Sequence, residues 1–118
     1  MLKQELGKIG ETISIDYLIK QSYTIMFTNW RFKYLEVDII AQKNNAIYFI
    51  EVKTRQQNEI PRDVLTQTKI RNLLNAAEHF IEKYNIKQEV FFDLILIIGN
   101  ANKYSIEHIP NAFNALDY

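Results

Sequence analysis

The chain has 118 residues, 47% of them hydrophobic, with 14 Lys+Arg against 14 Asp+Glu and no cysteine. That size and composition suit a single cytoplasmic domain over residues 1–118 and exclude disordered and low-complexity classes, while the lack of cysteine excludes disulfides, thiolate zinc sites and cysteine nucleophiles. Zero net charge excludes a protein that grips nucleic acid by its overall field, and the longest apolar run, Leu94–Ile98, falls far short of the ~20 residues that span a membrane.

Residues 2–21 read as a helix with two stripes. Leu2, Leu6, Ile9, Ile13 and Tyr17 recur at helical spacing as an apolar stripe. Gly7, Gly10, Glu11, Ser14 and Leu18 form a second, mostly small stripe almost opposite it. Glycine inside a helix costs about 1 kcal/mol relative to alanine, so two on one stripe point to close backbone approach, and Glu11 sits in the middle of that stripe. Residues 23–32 read as a strand rich in threonine, isoleucine and aromatics, interrupted by Asn29. Two further strands cover residues 35–42 and 47–55. Asn44 and Asn45 supply a two-residue turn between them, because asparagine tolerates positive φ.

Residues 62–85 form a long helix with Ile70, Leu73, Leu74, Ala77, Phe80, Ile81 and Tyr84 as its apolar stripe and Gln67 and Lys69 on its two flanks. Residues 90–98 are apolar on both faces except at Asp93, the pattern of a strand covered on both sides. A short strand over residues 103–109 precedes Pro110. The order α-β-β-β-α-β-β describes an α/β or α+β sheet with helices packed on it.

The Asn44-Asn45 turn makes the central hairpin quantitative. If Lys43 pairs with Ala46, Asp38 falls opposite Glu51 and Glu36 opposite Lys53, and strand alternation puts all four on one face. Opposed Cβ atoms stand about 5 Å apart, where like charges repel. Lys53 relieves part of an Asp38–Glu51 repulsion; a hard divalent cation, bound through carboxylate oxygens, relieves more. Two readings fit: a solvated, salt-bridged sheet face, or a functional site. The second is supported by the apolar neighbours Val37, Ile39, Ile40, Ile47, Phe49, Ile50 and Val52, among which an ionisable cluster is out of place. Spacing alone does not choose between them.

Asp38 followed, after a short hairpin, by Glu51-Val52-Lys53 resembles the core of the PD-(D/E)XK nuclease superfamily. Gly10-Glu11, Asn29 with Arg31, Glu36 to Ile40, Phe49 to Arg55, Lys69, Phe92-Asp93 and Ile109 to Phe113 extend the likeness over residues 7–113. Within the superfamily the chain resembles the bacterial YraN-type family, small proteins similar to archaeal Holliday-junction resolvases. Leu35 departs from the pattern, since the family commonly has glycine before its Glu-x-Asp element, but every candidate ligand stays in place.

The resemblance implies a three-layer, restriction-endonuclease-like α/β fold with a mixed central sheet of four to five strands flanked by helices. It implies a metal-dependent endonuclease acting on DNA, branched or structured DNA included, with Mg²⁺ as cofactor and Mn²⁺ as substitute. Asp38, Glu51, the Val52 backbone carbonyl and Glu11 would ligate the metal. Lys53 would orient or activate the attacking water. Glu36 would position Lys53, and Arg31, Arg55, Lys69 and Gln67 would flank the site or meet phosphate. The alternative is a non-catalytic nucleic-acid-binding or protein-interaction module that keeps the fold; a homodimer is a further expectation. Asp93 is expected to be a satisfied structural carboxylate, His79 and His108 ordinary residues outside any zinc site, and Tyr17, Trp30 and Tyr84 packing residues.

Overall fold

The computed structural model describes residues 3–56, 65–100 and 102–113. Helix α1 spans Lys3–Lys20, followed by strands β1 (Thr24–Phe32), β2 (Leu35–Lys43) and β3 (Ala46–Arg55), helix α2 (Gln67–Tyr84), and strands β4 (Glu89–Gly99) and β5 (Tyr104–Ile109). The five strands form one sheet in the order β1-β2-β3-β4-β5. Neighbours are antiparallel except β3 and β4, which are parallel and joined through α2. This is the mixed α/β sheet expected. The predicted helical positions 2 and 62–64 lie outside the described residues. Helix α2 opens at Gln67 because Thr66 caps it, its hydroxyl accepting from the Lys69 N–H at 3.1 Å, and it closes at Asn85, whose φ of 50° suits a left-handed cap.

Each sheet face carries its own core. Val37, Ile40, Ile47, Phe49 and Phe92 pack under Leu73, Ala76, Ala77 and Phe80 of α2. Ile39, Ala41, Ile50, Ile95 and Ile97 pack under Leu18, with Ile13, Ile15 and Tyr17 at the margin. The close approach expected of the small stripe of α1 is found at Gly10 and not at Gly7. Gly10, Ser14 and Leu18 of the small stripe are buried, whereas Leu6, Ile9, Ile13 and Tyr17 of the apolar stripe are only half-buried. Small residues win this face because they let the helix backbone close on β3: a Cβ at Gly10 would overlap the Thr54 methyl. Gly7 is exposed and faces open space, so close approach explains only one of the two glycines.

The register of the Asn44-Asn45 hairpin is the expected one from Lys43↔Ala46 to Ile39↔Ile50. Both asparagines have positive φ, 51° and 63°. Beyond Ile39↔Ile50 the ladder stops, so Asp38 and Glu51 do not pair, nor do Glu36 and Lys53. On the other side of β2, the ladder to β1 skips Asn29 and Asp38 between Trp30↔Val37 and Thr28↔Ile39. Asn29 has φ 51°. The break turns the strand over. Leu35 and Val37 belong to the α2-side core, but Ile39 and Ala41 belong to the α1-side core, where unbroken alternation would keep all four together.

Asp93 is the satisfied carboxylate expected. It is 1% exposed, bonded to His108 Nε2 at 2.8 Å and accepting from the Asn111 N–H at 2.9 Å. The other imidazole nitrogen of His108 bonds the Tyr17 hydroxyl at 3.0 Å, which ties α1, β4 and β5 together. Trp30 is buried edge-to-face on Phe80, Tyr84 packs against Phe27 and Phe80, and His79 stacks on Phe32.

The two helical glycines are expected to respond to alanine with opposite signs. Gly7→Ala gains helix propensity in open space, about 0.5–1 kcal/mol. Gly10→Ala drives a methyl into Thr54 and is expected to lose about 1–3 kcal/mol. Urea unfolding of the two variants against the parent checks this; destabilisation by both, or by neither, contradicts the packing described.

Candidate functional site

Glu51 shares its strand face with Ile47 and Phe49, so its side chain points into the α2-side core. It is 2% exposed. Its Oε1 lies 3.3 Å from Lys53 Nζ and 3.3 Å from Lys69 Nζ. Lys53 comes from two positions along the same strand and Lys69 from the first turn of α2, so the strand and the capped helix end aim two cations at one oxygen. The other oxygen, Oε2, is buried and accepts no hydrogen bond among the described residues. Burial is the largest influence on this carboxyl and the negative charge of Asp38 the second; both act against the two lysines and push its pKa up to about 7.

Asp38 stands where β2 leaves its ladder with β3 and skips one pair of its ladder with β1. Freed from strand pairing, its Oδ2 accepts the Val52 N–H at 2.9 Å, which clips β2 to β3 just past their last paired residues. The cross-strand meeting of Asp38 and Glu51 read from the hairpin is thus replaced by a diagonal one, one residue further along β3. The sequence-based metal set also includes the Val52 carbonyl, the other polar group of that same peptide residue.

Glu11 approaches from the opposite side. The close packing of Gly10 on Thr54 brings α1 down on β3, and Asn29 Nδ2 donates to Glu11 Oε1 at 2.7 Å. Burial raises the Glu11 pKa most; the Asn29 hydrogen bond lowers it, and the charges of Asp38 and Glu36 raise it. Glu11 and Asn29, with Lys8, Ile9, Thr12 and Ile13, line an open pocket of about 510 Å³. Among the described residues, no three Asp, Glu or His side chains come close enough together to hold a metal ion. The structure therefore groups Glu51, Lys53 and Lys69, sets Asp38 beside them, and leaves Glu11 on Asn29.

The remaining predicted residues fall outside this group. Glu36 does not face Lys53: it pairs with Arg31 at 3.3 Å, because the turnover at Asp38 puts Glu36 on the face opposite Val37. That same ion pair occupies Arg31, whose side chain is otherwise exposed. Arg55 Nη1 donates to the Thr54 carbonyl at 2.7 Å, and Gln67 is an exposed residue opening α2. Asn29 is the contributor that periodicity does not single out as functional. Its signal is an asparagine in mid-strand, the residue type that adopts positive φ at least strain.

A match to the Uncharacterised protein family UPF0102 covers residues 10–97. The chain belongs to this family. UPF0102 is part of the restriction-endonuclease-like nuclease superfamily, as the resemblance implies. Similar members include a UPF0102 protein of Bacteroides fragilis, 42% identical over 110 residues, 92% of this chain and 91% of that one. Another from Flavobacterium psychrophilum is 38% identical over 111 residues, 92% of this chain and 93% of its own. A third, from Christiangramia forsetii, is 41% identical over 111 residues, with 92% and 93% covered. The UPF0102 match opens immediately before Glu11 and takes in Asp38, Glu51, Lys53 and Lys69.

The raised Glu51 carboxyl has a thermodynamic consequence. Near its ordinary value of 4.5 the unfolded chain begins to ionise Glu51 while the folded chain keeps it neutral up to about 7. Stability is therefore lost as pH climbs through that window and the loss levels off above it. Relative to Glu51→Gln, the parent is expected to lose on the order of 3 kcal/mol. Urea unfolding of both proteins across the window, without divalent cations, measures the difference; a gap that does not change with pH refutes it.

Proposed function

We propose that the protein is a Mg²⁺-dependent nuclease that hydrolyses phosphodiester bonds in DNA, branched or otherwise structured DNA included. The observation that carries this reading is the Glu51 carboxylate: buried in an apolar strand, held by two lysines on one oxygen, and left with the other oxygen unpartnered among the described residues, beside the negative Asp38. A buried oxygen without a partner, next to a second carboxylate, is the donor chemistry that a hard divalent cation satisfies. Asp38 and Glu51, with the Val52 carbonyl, would hold that cation; Glu11 would join once released from Asn29. Bound there, Mg²⁺ would act as a Lewis acid on the phosphate and lower the pKa of a coordinated water.

The chain's own residues do the rest. Lys53 and Lys69 keep part of their side chains in solvent, 27% and 34%, so each ammonium can hold the Glu51 carboxylate on one side and meet a phosphate oxygen on the other. Lys53, nearest in sequence to the carboxylates, orients the attacking water. Asp38 keeps its orientation through the Val52 N–H. Neutralising the carboxylates turns a formally balanced chain into one with surplus positive charge at the site, which suits an anionic substrate.

A second reading, a nucleic-acid-binding module without catalysis, draws on the tie between Glu11 and Asn29 and on the lack of a three-carboxylate group among the described residues.

Purified protein is expected to cleave some member of a panel of linear, single-stranded, flap and four-way-junction DNA in Mg²⁺ or Mn²⁺ and to lose at least about 100-fold in rate on Asp38→Ala or Lys53→Ala. Binding without cleavage by the parent selects the second reading, and equal cleavage by the variants refutes the first. Independently of activity, Mn²⁺ at about pH 8 is expected to raise the melting temperature of the parent and not of Glu51→Gln.

A further inference from the structure

The sheet contains two tight hairpin turns built on opposite chemical principles. Asn44-Asn45, between β2 and β3, places two asparagines at positive φ, where that residue type is least strained. Lys33-Tyr34, between β1 and β2, places a lysine at φ 57°, where glycine is the unstrained choice, and a tyrosine beside it. Tyr34 is 81% exposed, against 56% for Ile19, 44% for Tyr104 and 40% for Tyr84.

The base of this tip is rigid. Leu35 is buried, Phe32 pairs with Leu35 and stacks on His79 at 4.0 Å between ring centroids. Lys33 Nζ lies 5.5 Å from the Phe32 ring. The run Arg31-Phe32-Lys33-Tyr34 thus alternates cation and aromatic on a fixed support, a composition that suits phosphates and base faces together.

The tip also lies at the open end of the sheet. Beyond Ile39↔Ile50 the β2–β3 ladder stops, and Asp38, Glu36 and the tip follow in that direction along β2. Tyr34 lies four positions before Asp38, about 13 Å at ~3.3 Å per residue, or about four steps of a stacked strand at ~3.4 Å each.

We infer that Tyr34 is a base-stacking element: it caps an unpaired or unstacked base of a nucleic acid whose backbone runs past Lys33 and Arg31 toward Asp38 and Glu51. This rests on the nucleic-acid reading above and adds to it the feature recognised, an interruption of the duplex about four nucleotides from the carboxylates. A continuous duplex offers no free base face to the ring; a loop, flap or junction does.

The test uses the whole chain without divalent cations, so that nothing is cut. The probes are a continuous DNA duplex and the same duplex carrying a short unpaired loop that contains 2-aminopurine, both at one salt concentration. The parent is expected to bind the looped DNA more tightly and to quench its 2-aminopurine. Tyr34→Ala is expected to weaken binding of the looped DNA by about 5- to 150-fold, to abolish the quench, and to leave the continuous duplex within about twofold. Tyr34→Phe and Tyr34→Trp are expected to retain both affinity and quench. Unchanged binding by Tyr34→Ala, or equal weakening on both DNAs, overturns the stacking role while the nucleic-acid reading stands. A parent that binds neither DNA, with Ca²⁺ added to neutralise the carboxylates as well as without it, overturns both.

Discussion

Burying the carboxylate of Glu51 on the middle strand of the sheet is the constraint around which this fold is organised. A charged group taken out of water loses several kcal/mol of hydration unless its surroundings replace it. Here two ammonium groups converge on Oε1 from different elements, one along β3 and one from the first turn of α2. The cap on Thr66 fixes where that turn begins. The compensation is incomplete: Oε2 is unpartnered among the described residues, and the neighbouring Asp38 adds repulsion. A sheet position that would be filled most stably by an aliphatic side chain carries instead a carboxylate whose pKa has moved up to about 7. Such a departure from what packing favours is what singles Glu51 out as a candidate for chemistry.

The second organising feature is the interruption at Asn29 and Asp38. Both residues drop out of the β1–β2 ladder together, and β2 exchanges its faces there. The exchange has three effects. It frees Asp38 from strand pairing so that it can accept from the Val52 N–H. It carries Glu36 away from Lys53 and onto Arg31. It also brings the Asn29 amide to Glu11, which reaches it because Gly10 lets α1 settle against Thr54. One local break in regular strand geometry therefore connects both sheet faces, which period-two alternation otherwise keeps apart.

Much of this architecture was legible in the sequence. Alternation, helical spacing and the Asn44-Asn45 turn lead to the correct element order and to the correct register as far as Ile39↔Ile50. The Asp38, Glu51 and Lys53 pattern led to the family, with Glu11, Arg31 and Lys69 as further marks. The errors cluster where regular geometry stops. Extending the hairpin register past Ile39 pairs Asp38 with Glu51 and Glu36 with Lys53, and it fails because no periodicity reports a left-handed residue in mid-strand. On α1 the glycines pointed to close approach of the small stripe, and Gly10 and Ser14 are buried there while Leu6, Ile9 and Ile13 stay half-buried; which of the two glycines makes the contact was not legible.

By itself, the sequence determined which elements form, because side-chain periodicity and turn chemistry are local properties, and which residue types are available to the site. Only the tertiary structure decided which of those residues meet. Lys69 reaches Glu51 across the crossover from β3 to α2, Glu11 is held by Asn29 across two elements, and Glu36 is turned away within a single strand. These outcomes depend on where a ladder ends and how closely a helix can approach a sheet, and both are settled by the packing of distant segments against one another rather than by any run of neighbouring residues.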